Sequence, residues 1–253
     1  MDQPRLASLS LTHVHYNPED PVSFASAWLA LVPQALCVVY VSLIWVSREV
    51  EVLLMFAGQL GCEAVNFALK RVIKEERPQR KFCCEDDPVL NTNGLGYVEM
   101  YGKDYGMPSS HAQFVAYFAV YLCLFLFFRR TPAQPSSRAG AKSLERVAMS
   151  FVFCFGSALV AASRIYLNYH TPKQVLAGCA AGAVCAVSWF FATDFLRTAG
   201  WIDRALNLAI VRFARVRDLA ISEDLDEAGW QRWEARRKSR RHGCSDPASS
   251  KSD

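Results

Sequence analysis

The residues best suited to chemistry in this sequence are two histidines, His111 and His170, each of which stands at the edge of a long apolar run. His111 closes the turn Pro108-Ser109-Ser110-His111, and the run that follows contains no charged residue as far as position 128. If that run is a helix, its first free N–H groups and its dipole favour a bound anion such as phosphate. Ser109 adds a hydroxyl, and His111 adds a proton that titrates near neutral pH. A serine N-cap followed by an interfacial histidine explains this stretch equally well, so other segments must decide.

The elements that must position these residues are five apolar runs of membrane length or nearly so. The runs cover residues 24–46, 52–69, 111–128, 147–163 and 174–193. A soluble helical protein would show apolar stripes with charges on the opposite faces, whereas these runs are apolar on all sides, and only the second contains a charge, Glu63. The sequence therefore predicts an all-α, polytopic transmembrane helical bundle of about five spans plus an interfacial helix.

The remaining chain predicts a polar N-terminal arm, 1–23, and a charged C-terminal region, 197–253, on either side of a membrane domain, 24–196. The arm is too polar and too long for the start of a cleavable signal peptide, so the first span is predicted to be an uncleaved anchor in which Pro33 introduces a kink. A polar loop at 71–107 and a connector at 129–146 join the spans. Segment 201–217 interleaves apolar residues with arginines and is too short to span, which is typical of a basic interfacial helix before a flexible tail.

Cysteine usage and charge exclude several classes of function. The net charge of +4 is too small to indicate nucleic acid, and the basic run at 236–241 is typical of a solvated or lipid-facing tail. No Cys-x-x-Cys spacing is present, which argues against structural zinc. Six of the nine cysteines lie inside apolar runs as packing residues, and the adjacent Cys83 and Cys84 are poorly placed for a disulfide. The acidic triplet at 85–87 is typical of a solvated loop.

The order of the spans places three polar segments on one side of the membrane. Segment 70–78 leaves the second span, 108–111 enters the third, and 163–170 joins the fourth to the fifth, so parity puts all three on the same side. They carry three cations, two hydroxyls and two imidazoles: Lys70, Arg77, Arg164, Ser109, Ser163, His111 and His170. Three cations beside a helix N-terminus form a cradle for a highly charged anion, and two histidines there fit a nucleophile and a general acid. Snorkelling explains Lys70 or Arg164 alone, but not their joint spacing.

The second span carries a polar face of its own. Glu63, Asn66 and Lys70 are spaced so that they share one side of a helix. An ionisable residue within a span faces the bundle interior and is a functional hypothesis. The alternative is a structural Glu–Asn hydrogen bond between helices.

Three motifs, in order and on matching spans, resemble the signatures of the type 2 phosphatidic acid phosphatase superfamily, to which haloperoxidase-like proteins also belong. The motifs are Lys70-x6-Arg77-Pro78, Pro108-Ser109-Ser110-His111 and Ser163-Arg164-x5-His170. Within the superfamily the chain most resembles the dolichyl-diphosphatase branch of the endoplasmic reticulum, through the stretches 11–16, 105–114 and 163–171. The resemblance covers about residues 10–196, and weakly the tail.

The resemblance implies a role for each motif residue. His170 would be the nucleophile that forms a phosphohistidine, and His111 would protonate the leaving group. The residues implied to bind the substrate phosphate are Lys70, Arg77, Ser109, Ser110, Ser163 and Arg164. Members of the family need neither a metal nor a cofactor, so none is expected.

Two positions depart from the pattern of the superfamily. Ser110 replaces a glycine, which matters little if its backbone N–H does the binding. Gln174 replaces the aspartate expected four residues after the nucleophile. A glutamine carbonyl accepts the imidazole N–H and fixes the tautomer, but it cannot neutralise an imidazolium. Gln174 is interpreted as a trait of the branch, and Glu63 is the hypothesis for a replacement carboxylate.

The resemblance implies a lipid diphosphatase that hydrolyses dolichyl diphosphate to dolichyl phosphate and so recycles the carrier for protein N-glycosylation. Its expected partners are dolichyl diphosphate, other polyprenyl and lipid phosphates, and membrane lipid, but not nucleic acid. The expected location is the membrane of the endoplasmic reticulum with a lumenal site, which the Lys and Arg balance favours only slightly. The alternatives are a phosphatase for phosphatidate, a sphingoid phosphate or another prenyl diphosphate, and a catalytically silent membrane scaffold. A phosphate transporter is disfavoured, since only Glu63 lies near mid-span.

Overall fold

A computed structural model describes residues 7–9, 14–78, 105–129, 139–219 and 225–243. Two short strands, β1 (Ala7–Leu9) and β2 (Val14–Tyr16), precede the helices. The helices are α1 (Pro21–Leu29), α2 (Val32–Ser47), α3 (Val50–Ile73), α4 (Ser110–Leu124), α5 (Ala139–Tyr166), α6 (Pro172–Thr198), α7 (Trp201–Leu206), α8 (Ala209–Phe213) and α9 (Leu225–Gly243). A π-helical turn, Phe125–Arg129, extends α4.

Five helices, with α1 and α2 taken together, are long and apolar enough to cross a membrane. Large apolar side chains point away from the bundle along them; Phe151, Phe191 and Phe195 are 69%, 64% and 67% exposed. Such a surface is stable against lipid but not against water. The predicted all-α, polytopic bundle is confirmed.

The first span is interrupted rather than merely kinked. The N–H groups of Ala30 and Leu31 donate to the carbonyls of Ala27 and Trp28, three residues back, at 3.2 and 3.0 Å. Pro33 then lies in the first turn of α2, where its missing N–H costs no helical hydrogen bond. The kink predicted at Pro33 is therefore a break just before it.

The strands β1 and β2 pair antiparallel ahead of α1 and were not predicted from the sequence. Asp20 caps α1 by accepting a hydrogen bond from the Val22 N–H at 2.9 Å, and its other carboxylate oxygen accepts one from the Tyr166 hydroxyl at 2.6 Å. Val14 packs in a cluster with Ala27, Ala30 and Leu167. The segment before α1 therefore lies against the end of the bundle where α5 ends.

Helix α4 is the most buried span and packs against α3, α5 and α6. Two glycines of α6 allow the close approach of α4: a Cβ on Gly178 would lie 2.6 Å from the Ser109 carbonyl oxygen, and one on Gly182 would lie 2.3 Å from that of Gln113. Small residues at such contacts are the usual means by which membrane helices approach each other. The start of α4 is consequently held against α6.

A buried ionic cluster lies at the start of α3, about 28 Å along that helix from Lys70. The Glu51 carboxylate, 4% exposed, accepts hydrogen bonds from Arg129 at 2.8 Å, Arg197 at 2.6 Å and the Tyr121 hydroxyl at 2.9 Å. Arg197 also pairs with Asp218. This cluster joins α3, the end of α4, α6 and the segment after α8 at one end of the bundle.

The C-terminal region differs from its prediction in detail. Segment 201–217 forms two short helices, α7 and α8, instead of one interfacial helix, and α5 begins at Ala139, within the predicted connector. The chain forms a further helix, α9, where a flexible tail was predicted. Residues 79–104 and 244–253, with Cys83, Cys84 and the acidic triplet, lie outside the described residues, and the three-part division of the chain stays a prediction.

Candidate active site

Three chain segments are joined by hydrogen bonds to backbone groups at one end of the bundle: the end of α3, the start of α4 and the connection from α5 to α6. The Gly106 N–H donates to the Glu75 carbonyl at 2.7 Å, and the Ser109 N–H donates to the Gln174 carbonyl at 3.1 Å. The Gln174 side-chain amide donates to the Glu76 carbonyl at 2.8 Å. The parity prediction, that these segments share one side of the bundle, is therefore confirmed.

His170 occupies the tight connection between α5 and α6. The chain leaves α5 through Asn168, whose φ of 52° is left-handed, a conformation that asparagine tolerates. The His170 N–H then donates to the Arg164 carbonyl at 3.2 Å, which returns the chain toward the bundle. His170 is only 5% exposed, and its Nδ1 lies 3.2 Å from Oε1 of Gln174.

The partners of Gln174 fix which atom of its amide faces the histidine. Nε2 donates to the Glu75 carboxylate at 3.2 Å and to the Glu76 carbonyl at 2.8 Å, and both of these groups only accept. Oε1 accepts from the Thr171 N–H at 3.3 Å, so it faces donors. His170 must therefore carry its proton on Nδ1, which leaves the lone pair of Nε2 available. The amide acceptor predicted at Gln174 is present in the structure.

The electrostatic surroundings hold His170 in its neutral form. Burial lowers the pKa of His170 to about 4, and the positive charges of Arg77, Lys70 and Arg164 act in the same direction. The hydrogen bond to Gln174 opposes this shift only in part. Because the pKa lies well below 7, the imidazole is a potential nucleophile at neutral pH rather than an imidazolium.

The three predicted cations come from different elements. Lys70 lies in the last turn of α3, and Arg77 follows that helix after Lys74, whose left-handed φ of 52° turns the chain. Arg164, 3% exposed, lies in the last turn of α5, and its guanidinium is 5.5 Å from the centroid of the Tyr169 ring. Their charges converge on His170, which is the arrangement an anion requires.

The three serines predicted to bind phosphate differ in their hydrogen bonds: Ser109 and Ser110 lie at the start of α4, whereas Ser163 contacts Arg164. Ser109 is fully buried at the N-cap position of α4, and its hydroxyl has no hydrogen-bond partner within the described part of the chain. A buried unpaired hydroxyl is costly, and one at a helix N-terminus suits an anionic ligand. Ser110 is the first residue of α4 and lines a cavity with Lys70. The Ser163 hydroxyl donates to the Val160 carbonyl at 2.7 Å and accepts from Arg164 at 3.4 Å, so in this structure it holds the arginine.

His111 lies in the first turn of α4 and contacts the break in the first span. Its Nε2 is 3.2 Å from the Ala30 carbonyl oxygen. Because a carbonyl only accepts, Nε2 carries the proton. The proton that the predicted acid step needs is thus held on a defined atom.

The polar face of α3 lines a cavity, and one of its residues also bonds to a neighbouring helix. Asn66 donates to the Gln113 side chain at 2.7 Å, so it makes a hydrogen bond between helices, although its partner is a glutamine and not a glutamate. Glu63 lines a cavity of about 430 Å³ together with Lys70, Tyr105 and Ser110. Glu63 as a replacement carboxylate stays a prediction, whereas the carboxylate that contacts Gln174 is Glu75.

Two residues of the site were not predicted, Glu75 and Gly106. A Cβ on Gly106 would lie 2.8 Å from Cγ of Arg77 and 2.9 Å from Nε2 of Gln174, so Gly106 is the spacer between them. The position of Glu75 between the cations Lys70 and Arg77 could have indicated a role. A carboxylate there weakens anion binding, so its presence suggests that it binds another group of the site. The signal for Gly106 was its place three residues before the N-cap Ser109.

A bundle of five apolar helices with a single cluster of motif residues at the ends of three of them defines an integral membrane protein with a polar site near the membrane surface. The profile of the PAP2 superfamily matches residues 49–197, which include all three motifs, and the chain belongs to that superfamily.

Relatives match nearly the whole chain. A Neurospora crassa protein provisionally named a dolichyldiphosphatase is 48% identical over 93% of this chain and 94% of its own length. Dolichyldiphosphatase 1 of Dictyostelium discoideum is 33% identical over 87% of this chain and 86% of its own length, and that of Homo sapiens is 36% identical over 76% of each. No solved structure matches.

Proposed function

We propose that the protein is a dolichyldiphosphatase, which hydrolyses dolichyl diphosphate to dolichyl phosphate and inorganic phosphate. The observation that carries this proposal is the buried, neutral His170, with its proton fixed on Nδ1 by Gln174 and three cations around it. The substrate comes from the relatives, several of which carry the name dolichyldiphosphatase and align along most of the chain. The reaction serves recycling of the lipid carrier for protein N-glycosylation.

In the first step, Nε2 of His170 attacks the terminal phosphorus of the diphosphate. An N–P bond forms as the bond from phosphorus to the bridging oxygen breaks, and dolichyl phosphate leaves. Lys70, Arg77 and Arg164 bind the equatorial oxygens, where charge is spread in the transition state, while Ser109 and the N–H groups that begin α4 donate to them. Ser110 and Ser163 complete this set.

In the second step, water attacks the phosphorus of the phosphohistidine, the N–P bond breaks, and inorganic phosphate leaves. In the first step the Nε2–H of His111 donates a hydrogen bond to the departing oxygen, and dolichyl phosphate leaves as the dianion. In the second step the protons of the attacking water stay on the inorganic phosphate that is released, and His170 returns to its neutral form with the proton on Nδ1. Fixed cations supply the charge stabilisation, so the proposed reaction needs no metal.

The proposed location is the membrane of the endoplasmic reticulum with the site facing the lumen. Parity then puts the N-terminus on the lumenal side and the Glu51 cluster on the cytosolic side. The sequence contains no Asn-x-Ser/Thr acceptor, so an acceptor inserted between residues 79 and 104 should be glycosylated and one inserted at 130–138 should not. The reverse pattern would contradict the lumenal site.

The test of the function is phosphate release by the purified protein in detergent with EDTA, on dolichyl diphosphate and on phosphatidate. His170→Ala is the inactive variant, and His242→Ala, in α9, is the matched control. We expect EDTA-resistant release that favours the dolichyl substrate and is lost only in His170→Ala. Preference for phosphatidate would replace the substrate, and no release by folded protein would favour a silent scaffold.

A further inference from the structure

The Gln174 side chain, which orients His170, is itself hydrogen-bonded to the carboxylate of Glu75. Gln174 is fully buried, its Oε1 lies 3.2 Å from Nδ1 of His170, and its Nε2 donates to Oε1 of Glu75 at 3.2 Å. His170, Gln174 and Glu75 therefore form a continuous chain of hydrogen bonds. A negative charge thus lies one side chain away from His170, on the far side of the Gln174 amide.

Glu75 also holds the surrounding segments. Its carbonyl accepts from the Gly106 N–H at 2.7 Å, and its second carboxylate oxygen accepts from Lys173 Nζ at 3.0 Å. The hydrogen bonds from Lys173 and then from Gln174 lower the pKa of the Glu75 carboxyl, so Glu75 is a carboxylate at neutral pH. Lys173 is 73% exposed and Glu75 30% exposed at the side chain, so solvent weakens this ion pair.

From this geometry we infer that Glu75 is the positioning residue for the nucleophile, acting on His170 through the amide of Gln174. The inference rests on the proposed function and adds to it a residue that touches neither phosphate nor histidine. Glu75 has two effects. It fixes the orientation of the Gln174 amide, and its charge polarises that amide so that Oε1 becomes a stronger acceptor.

The benefit appears when the N–P bond forms. The imidazole then carries a positive charge, and its Nδ1–H donates more strongly to Oε1. Glu75 stabilises that charge through the polarised amide, while the proton stays on Nδ1 and no proton passes along the chain. A glutamine alone is neutral and cannot compensate a cation, so Gln174 and Glu75 together stabilise the positive charge on the His170 imidazole.

A purely structural role for Glu75 makes a different prediction. If Glu75 only ties the end of α3 to the start of α6 by its ion pair, then removal of Lys173 should be as harmful as removal of Glu75. If Glu75 acts on Gln174, then Lys173→Met should be nearly harmless, because the Gln174 hydrogen bond remains. Glu76→Ala is the matched control for loss of a charge, since the Glu76 carbonyl that accepts from Gln174 is unaffected.

The experiment measures kcat and KM on dolichyl diphosphate for Glu75→Ala, Glu75→Gln, Lys173→Met and Glu76→Ala. We expect Glu75→Ala to lower kcat by about 10- to 100-fold with little change in KM, as is usual for partners that orient a histidine. Glu75→Gln keeps the shape and an acceptor, loses the charge, and should lie between Glu75→Ala and the wild type. Lys173→Met and Glu76→Ala should stay within about twofold of the wild type, as expected for exposed charges.

A wild-type kcat for Glu75→Gln, or an equal loss in Lys173→Met and Glu75→Ala, would overturn the inference. A second readout is independent of turnover: the tautomer of His170, read by ¹⁵N NMR of histidine-labelled protein. The Nδ1–H form should dominate in the wild type and in Lys173→Met, and its share should fall in Glu75→Ala, where the Glu76 carbonyl and the Thr171 N–H alone hold the Gln174 amide. If the wild type hydrolyses no lipid phosphate, the proposed function fails while the tautomer experiment still decides the role of Glu75.

Discussion

Single residues at this site work by holding protons on particular atoms. Gln174 keeps the His170 proton on Nδ1, and the Ala30 carbonyl keeps the His111 proton on Nε2. The two imidazoles therefore carry their protons on different atoms, which fits the proposed roles of His170 as nucleophile and His111 as acid. Different surroundings of like groups are the usual means of assigning such roles.

The titration of His170 tests its neutral state directly. Since burial and then the charge of Arg77 lower its pKa to about 4, the imidazole should stay neutral at pH 6 and become protonated only near pH 4. The measurement is a pH titration followed by ¹⁵N NMR in detergent without substrate, with the signal assigned by its loss in His170→Gln. A midpoint at pH 6 or above would contradict the described surroundings.

The role of His111 is tested by comparing leaving groups. A diphosphate expels a phosphate monoester with a second pKa of about 6, which leaves readily, whereas a phosphate monoester expels an alkoxide that needs the proton. We expect His111→Ala to lower kcat/KM on a lipid monoester by about 10²- to 10⁴-fold, and less on dolichyl diphosphate. His242→Ala should affect neither substrate. Equal losses on both substrates would count against His111 as the acid.

At the scale of the elements, the site depends on three chain segments that approach closely where helices begin or end. Gly178 of α6 admits the backbone of Ser109, and Gly106 fits between Arg77 and Gln174. The left-handed residues Lys74 and Asn168 reverse the chain after α3 and α5. The proposed phosphate binding and the orientation of the proposed nucleophile thus depend on the ends of helices and on the turns that join them.

Gly106→Ala tests this dependence. The new methyl group would lie 2.8 Å from Cγ of Arg77 and 2.9 Å from Nε2 of Gln174, so both must move. Because small displacements of positioned groups are costly, kcat on dolichyl diphosphate should fall by about 10- to 100-fold in protein that remains folded. The control is Gly61→Ala, where a Cβ would meet nothing within 4 Å. Full activity of Gly106→Ala would mean that the three segments are more loosely held than described.

The elements themselves were largely predictable from sequence, because a span must be apolar on all sides and parity then fixes which connections share a side. The amide acceptor was also predictable, since Gln174 lies four residues after His170 at a helix start. Glu75 was not, because its approach to Gln174 depends on the turn at Lys74, which hydropathy and motif spacing do not encode. The break at Ala30 and the pairing of β1 with β2 likewise depend on tertiary contacts.

At the scale of the whole molecule, the bundle has two polar ends with different tasks. One end gathers His170 and the cations, and the other buries the Glu51 cluster, which ties the segment after α8 to α3 and α6. Between the two ends, the described helices are joined by hydrogen bonds between neutral groups, such as those from Asn66 to Gln113 and from Gln113 to the Cys62 carbonyl. Stability and activity should therefore be separable by mutation.

Glu51→Ala tests that separation. It leaves the buried Arg129 without a carboxylate and leaves Arg197 with Asp218 alone, and breaking a buried pair of this kind typically costs about 3–5 kcal/mol. The unfolding temperature in detergent should fall clearly, while kcat per folded molecule stays near that of the wild type. Glu234→Ala, which removes the exposed pair with Lys238, should change stability by only about 0.3–0.5 kcal/mol. Similar unfolding temperatures for the two variants would contradict a stabilising cluster.

Trapping the covalent intermediate tests the proposed nucleophile His170 most directly. Dolichyl diphosphate labelled on its terminal phosphate is mixed rapidly with the enzyme, the reaction is stopped in base, and labelled peptides are mapped. We expect a label that is stable to base and labile to acid, attached to His170, formed at least as fast as turnover and absent from His170→Ala. Turnover without label, or label on another residue, would contradict His170 as the nucleophile.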